Sequence, residues 1–390
     1  MVISLLCSPR ITLMIKLTII LLILSSPISA YATTNHPHHP FKSVYAFGDS
    51  YTDTGNTRSN TGPSGFMFVS NLPYGATFFH HPTNRYSDGR LVIDFVAQVL
   101  SLPFLPPYLD PKADKSSGVN FAVAGSTAIV HSFFVKNNMT INITPQSLQT
   151  QLSWFNKFLE GKGCKDSYAT PRECEAVFHD ALIWVGEIGA NDYAYSFGSS
   201  VPTKTIQKLA INSVTAFLQC VGIAEKGRKV CGRSRPTTNR VPNVVHVSRS
   251  SYRRQRQRRV CRSANKQSDT HNTILKAKLN LFRKQFPQSV IVYADYYNAY
   301  LTVIKNAKKY GFKELYKVCC GYGGGTYNFN YFNACGSPSA TSCANPSQYI
   351  NWDGVHLTEA MYKAMADAFV NGTYSQPPFR SLLSKKHSSG

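Results

Sequence analysis

Two short apolar runs, each closed by a glycine, constrain this chain more than any other feature. Val44-Tyr-Ala-Phe47 runs into Gly48-Asp-Ser50, and Ala181-Leu-Ile-Trp-Val185 runs into Gly186-Glu-Ile-Gly-Ala-Asn-Asp192. Neither run alternates polar with apolar residues, so each reads as a strand buried on both faces. Ser289-Val-Ile-Val-Tyr-Ala-Asp295 has the same character. Helical spacing separates the runs. It covers Arg90 to Leu100 (Leu91, Phe95, Val96 and Val99 on one stripe), Thr203 to Leu218, Thr273 to Phe286 before Pro287, and Thr358 to Val370. Buried strands divided by helices predict an α/β fold with three α/β/α layers around a central, mostly parallel sheet. Ligands of such sheets sit beyond the carboxyl ends of the strands. The glycine-closed ends are therefore where chemistry is expected.

Four separated blocks carry the chemistry: Phe47-Gly-Asp-Ser-Tyr-Thr-Asp-Thr-Gly-Asn56, Asn120-Phe-Ala-Val-Ala-Gly-Ser126, Gly189-Ala-Asn-Asp192 and Trp352-Asp-Gly-Val-His-Leu-Thr358. Taken singly, each has a bland reading. Gly-Asp-Ser is an ordinary turn, Gly125 a packing glycine and Asn191 a turn or cap residue; Asp353 and His356 can cap the last helix. Their order, each beside a strand end or a helix start, joins them into the requirements of acyl transfer. A hydroxyl is a weak nucleophile and needs a neighbouring base, so Ser50 is matched with His356. A carboxylate must fix the imidazole tautomer, and Asp353, three residues before the histidine, supplies it. The oxyanion needs preorganised donors: the backbone N–H groups of Ser50 and Gly125 and the side-chain amide of Asn191. Loss of one such donor typically raises the barrier by about 3 kcal/mol.

These blocks resemble the SGNH/GDSL hydrolases. Longer stretches, Arg85-Tyr-Ser-Asp-Gly-Arg90, Asn120 to Gly125 and Asn351-Trp-Asp-Gly-Val-His-Leu-Thr-Glu-Ala360, are similar to the plant GDSL esterase/lipases in particular. The resemblance covers about Phe41 to Asn371 apart from one stretch. It implies a flavodoxin-like α/β/α fold, hydrolysis of carboxylic esters by a Ser50–His356–Asp353 triad, and no cofactor or metal. The Gly-x-Ser-x-Gly elbow of α/β-hydrolases is absent, because Gly48-Asp-Ser-Tyr-Thr52 lacks the second glycine. The substrates expected are acyl lipids, acetylated glycans or small acyl esters. The alternative is a catalytically inactive member that binds an acylated glycan, against which the intact Ser50, Asp353 and His356 count.

The ends of the chain indicate a compartment. Lys16, the apolar run Leu17 to Leu24 and the small residues up to Ala30 have the order of a secretory signal over 1–30. The apolar run is short for a bilayer span. A secreted product without stable membrane insertion, destined for the apoplast or cell wall, is expected. The hydrolase domain is expected over 41–372, with a tail over 373–390; the oligomeric state is open. Cys164 with Cys174, and the cluster Cys319, Cys320, Cys335 and Cys343, read as disulfide staples, with connectivity left open. Asn138, Asn142 and Asn371 begin glycosylation sequons.

One stretch does not fit. The net charge is +22, and 13 Lys and Arg lie between Lys226 and Arg262 without one Asp or Glu. Read literally, this is a patch for polyanions. It stands, however, where the resemblance calls for a buried strand, and no nucleic-acid partner is expected. A shift of reading frame over 228–261 accounts for it better. With codons chosen freely at degenerate positions, Lys229 to Arg235 read one base later gives Arg-Tyr-Val-Val-Val-Val-Gly, a buried strand. Pro236 to Val247 then gives a turn containing Pro-Thr-Gly-Cys, and Arg253 to Val260 an acidic loop. The literal text is expected to be excluded from the core, because burying an unpaired charge costs several kcal/mol.

Overall fold

The computed structural model describes residues 41–58, 68–139, 144–164, 177–178, 180–224, 243–248, 258–287, 289–325, 327–330 and 333–384. The signal-like segment and Asn142 lie outside them. In chain order the elements are β1 (Ser43–Phe47), α1 (Val92–Val99), β2 (Gly118–Asn120), α2 (His131–Lys136), α3 (Leu148–Gly161), β3 (Ala181–Val185), α4 (Ala190–Tyr195), α5 (Thr203–Ala224), β4 (Asn243–Ser248), α6 (Arg258–Gln285), β5 (Ile291–Asp295) and α7 (Tyr296–Lys305). They continue with β6 (Glu314–Val318), β7 (Cys320–Gly321), β8 (Thr341–Ser342), β9 (Tyr349–Asn351), α8 (Glu359–Val370), β10 (Ser375–Gln376) and α9 (Arg380–Ser384).

The main sheet runs β10-β5-β4-β3-β1-β2. The five strands from β2 to β5 make four parallel pairings, and only β10 is antiparallel. The parallel order 2-1-3-4-5 is that of a flavodoxin-like doubly wound sheet. Its direction reverses between β1 and β3, where Val44 pairs with Leu182 and Phe47 with Val185. A crevice opens at such a switch point beyond the strand ends, and the two glycine-closed runs are the strands that flank it.

Strand alternation sends neighbouring side chains to opposite faces. Val44, Ala46, Leu182, Trp184, Val292 and Ala294 join α1, α7 and α8 in one apolar cluster. Tyr45, Phe47, Ile183, Val185, Ile291 and Tyr293 join α3, α5 and α6 in the other. Both faces are thus covered, which explains why β1 and β3 show no polar alternation. A third, small cluster brings Val69, Tyr74, Tyr86, Ala124 and Trp352 against Cys319, Cys320 and Cys335. Disulfides Cys319–Cys343 and Cys320–Cys335 staple it, which settles the connectivity the sequence left open there. Among the described residues no helix is long and apolar enough to cross a membrane.

The observed elements extend beyond the expected ones at three places. In the displayed text Asn243–Ser248 forms a strand between β3 and β5. Asn-Val-Val-His-Val-Ser carries no Lys or Arg and is rich in β-branched residues, so this piece of 228–261 enters the sheet rather than being excluded. Lys229–Arg235 and Arg253–Gln257 lie outside the described residues. The helix expected from Thr273 already begins at Arg258. Residues past 372 pack on the sheet: β10 pairs with β5, and Phe379 and Leu382 are buried in the first cluster.

Candidate active site

The turn after β1 has little freedom. Gly48 receives a clamp from the Gln151 side chain, which accepts from the Gly48 N–H at 2.9 Å and donates to its carbonyl at 2.8 Å. The Asp49 N–H donates to the Glu187 carbonyl at 2.8 Å. Thr52 donates its hydroxyl to the Glu187 carboxyl at 2.7 Å. A side chain at Gly186 would strike that hydroxyl, its Cβ lying 2.1 Å from Thr52 Oγ1. Asp53 accepts the N–H groups of Gly55, Asn56, Thr57 and Ala124, tying the turn to the block that contains Gly125. Burial nevertheless pushes Asp53 up to about 6, against those hydrogen bonds. Burial likewise pushes Glu187 up to about 7, with the Thr52 hydroxyl pulling the other way.

Ser50, left at the end of this turn, meets His356. The His356 Nε2 lies 2.7 Å from Ser50 Oγ, and its Nδ1 lies 2.6 Å from Asp353 Oδ2. Both ring nitrogens are therefore engaged, Nδ1 by the carboxylate and Nε2 by the hydroxyl. Ser50 and His356 are almost fully buried, at 3% and 1% exposure. The histidine is placed locally. Asp353 Oδ1 accepts the His356 N–H at 2.7 Å and the Val355 N–H at 2.8 Å, so the same carboxylate shapes the loop and holds the ring. Thr358 then caps α8, its hydroxyl oxygen accepting from Met361 N–H. Burial pushes the Asp353 carboxyl up, but the His356 charge, its two hydrogen bonds and the Val355 amide outweigh that and hold it at about 2. The ring itself is sandwiched by Tyr51 and Tyr86, whose centroids lie 5.2 and 4.6 Å away. The Tyr51 hydroxyl donates to the Val355 carbonyl.

The donor side is assembled from two further loops. Gly125 has φ +78°, a left-handed conformation that favours glycine. Its carbonyl accepts the Tyr195 hydroxyl at 2.8 Å. Asn191 donates from Nδ2 to the Ser126 carbonyl at 2.9 Å, which uses one of the two amide hydrogens. Asp192 accepts Ala128 N–H at 2.9 Å and Ile129 N–H at 2.8 Å, fixing α4 against the same loop. Neither the Ser50 N–H nor the Gly125 N–H donates to an acceptor among the described residues. Three donor positions thus stay available on segments that other hydrogen bonds have already fixed.

Asn138 and Asn371 are both exposed. Among the described residues, no group of three or more His, Cys, Asp or Glu is arranged to hold a metal ion. Several contributors escaped the sequence reading: Gln151, Asp53 and Tyr74, whose hydroxyl donates to Asp353 Oδ2 at 2.9 Å. Asp53 had a signal, since Asp-Thr-Gly-Asn is turn chemistry in which the carboxylate captures later N–H groups.

Residues 44–369 match a family model described as GDSL-like lipase/acylhydrolase. The chain is 50% identical to the GDSL esterase/lipase At3g48460 of Arabidopsis thaliana, over 97% of this chain and 98% of that protein. It is 38% identical to the Arabidopsis GDSL esterase/lipase At1g28600, over 94% of this chain and 93% of that one.

Proposed function

This chain belongs to the GDSL-like lipase/acylhydrolase family and is a carboxylic ester hydrolase; we propose that it acts as a secreted serine esterase through Ser50, His356 and Asp353. The 2.7 Å contact between His356 Nε2 and Ser50 Oγ carries the reading. Ser50 attacks the ester carbonyl as His356 takes its proton. The carbonyl oxygen becomes an oxyanion facing the Ser50 and Gly125 N–H groups and the Asn191 amide, a role that suits fixed donors. His356 then returns the proton to the departing alcohol. Water, deprotonated by the same imidazole, releases the acid from the acyl-enzyme. Asp353 stays ionised throughout and stabilises the transient imidazolium. Activity falls on acidification because a protonated imidazole cannot accept the Ser50 proton.

The substrate is an ester of an acyl lipid, an acetylated glycan or a small metabolite. Purified protein is expected to hydrolyse short p-nitrophenyl acyl esters, and Ser50→Ala to abolish that turnover. Activity that survives the substitution overturns the assignment. A panel of acyl-chain lengths against acetylated glycans then identifies the substrate class.

The N-terminal signal pattern, the disulfides Cys319–Cys343 and Cys320–Cys335 and the exposed Asn138 and Asn371 support secretion into an oxidising compartment. Secreted protein should lose mass on glycan removal, and an unchanged mass would overturn glycosylation at Asn138, Asn142 and Asn371. The frame shift over 228–261 is a separate proposal, supported by 13 Lys and Arg without an acidic residue between Lys226 and Arg262. A transcript that reads unbroken through the Arg-rich text refutes it.

A further inference from the structure

Asp353 is better supplied with donors than the triad requires. Its Oδ1 accepts the backbone N–H groups of Val355 and His356. Its Oδ2, the oxygen that faces the imidazole at 2.6 Å, accepts a second donor, the Tyr74 hydroxyl at 2.9 Å. With four hydrogen bonds the carboxylate is close to saturated. The phenol therefore shares the one oxygen through which Asp353 acts on His356.

Tyr74 is also held where it is. It is 5% exposed and belongs to the disulfide-stapled cluster with Tyr86, Trp352, Cys319, Cys320 and Cys335. Its ring meets Trp352 edge-on at 6.0 Å and Tyr86 at 6.2 Å. Three residues earlier, Asn71 donates to the Gly336 carbonyl at 3.1 Å, next to Cys335 of the Cys320–Cys335 bridge. The segment around Tyr74 is thus anchored to the stapled loop and reaches from it into the triad.

We propose that Tyr74 is a positioning residue of the esterase: by donating to Asp353 Oδ2 it fixes the carboxylate's orientation and withdraws part of its charge from His356. The inference rests on the triad reading above. Two consequences follow. Without the hydroxyl, the carboxylate rotates more freely, so the imidazole is less often aligned with Ser50 and kcat falls. The same loss leaves Oδ2 more negative, which stabilises imidazolium, so the base becomes protonated at higher pH.

The other titratable groups facing these residues are phenols and, against Tyr86, the Asp53 carboxyl. Tyr86 and Tyr362 lie near Tyr74, and Tyr51 and Tyr86 flank the imidazole. Burial raises Tyr74 and Tyr86 well above the ordinary phenol range. Asp53 and Glu187, raised to about 6 and about 7, contribute to a profile between pH 5 and 8 in both proteins, so the readout is the displacement between the parent and the variant.

The test is Tyr74→Phe, which keeps the ring and removes one oxygen. The expected result is a fall in kcat of about tenfold, the size of one hydrogen bond to a charged group. KM should be unchanged and the acid limb of kcat/KM displaced to higher pH. The low-field proton resonance of the His356 Nδ1–H, measured on the full chain, is expected to move. An unchanged profile together with an unmoved resonance overturns the proposal. A fall in kcat and KM effects with no change in either readout also overturns it, since that is the mark of a merely structural residue. The resonance does not depend on turnover. If Ser50→Ala leaves turnover intact, the esterase reading fails while the resonance still decides whether Tyr74 acts on the pair.

Discussion

Ser50 and His356 meet across one hydrogen bond, yet the two sides of that bond are secured differently. Ser50, the proposed nucleophile, follows β1, a strand paired on both sides and covered on both faces. Its turn is clamped by Gln151 and underpinned by buried Asp53 and Glu187. His356, the proposed base, follows β9, a three-residue strand that pairs with β6 in a two-stranded sheet. It is secured by one carboxylate, one phenol and a small cluster stapled by disulfides. A doubly covered strand and uncharged or buried hydrogen-bond partners fix the serine, whereas an ionised carboxylate, a phenol and covalent links fix the histidine. The base side should therefore answer to reducing agents and to acid, and the nucleophile side to rising pH.

The sharpest test removes the charge while keeping the shape. Asp353→Asn is expected to lower kcat by about 10⁴-fold while the sheet stays folded, read by steady-state kinetics beside circular dichroism. A loss of only a few-fold would mean that something besides Asp353 orients the ring.

Next in size is the staple. Cys320 and Cys335 close a loop of 15 residues, and a loop of that length contributes about 3 kcal/mol of stability. Replacing both by serine should lower the melting temperature and inactivate the enzyme before the main sheet melts. If activity and sheet are lost together at the same temperature, the two regions are one cooperative unit and the contrast fails.

Acid and base then act on the two sides with opposite signs. Asp353 is held at about 2 against an ordinary 3.8, so it stabilises the fold above the unfolded value. That stability, about 2 kcal/mol, is lost as pH falls from near 4 through 2. Glu187 is raised from 4.5 to about 7, so its effect runs the other way: stability is full below 4.5 and is lost as pH rises through 7. Chemical denaturation across pH should show Asp353→Asn flattening the acid limb and Glu187→Gln flattening the neutral one. Parallel behaviour of the two variants would break the comparison.

The smallest effect is the control. Lys363 and Asp367 form an exposed i, i+4 pair on α8 at 2.7 Å. Lys363→Ala should change stability by at most about 0.5 kcal/mol and leave kcat unchanged.

How far the sequence could be read follows the same division. The strands under the nucleophile were legible because both their faces are buried: Ala181–Val185 is the observed β3, and Val44–Phe47 is β1 less one residue. The meeting of Ser50, Asp353 and His356 was legible because acyl transfer needs those residue types at a strand end and a helix start. β2, β6 and β9 are too short or too exposed to leave a period. The start of α6 was hidden because Arg-rich text shows no apolar stripe. Tyr74 was illegible for a different reason. It is one of 22 tyrosines, and its meaning comes from a partner 279 positions away.

β10 has a consequence for how the chain tolerates shortening. Its two residues lie along β5, Asp295 N–H donates to the Tyr374 carbonyl at 2.7 Å, and the Ser375 hydroxyl reaches the Phe369 carbonyl. This brief antiparallel strip shields a row of backbone donors and acceptors that would otherwise invite another molecule to add a strand. Trimming the chain at 372 would uncover that border and empty the sites of Phe379 and Leu382. Self-association of the clipped protein, rather than loss of its catalytic groups, would then limit its use.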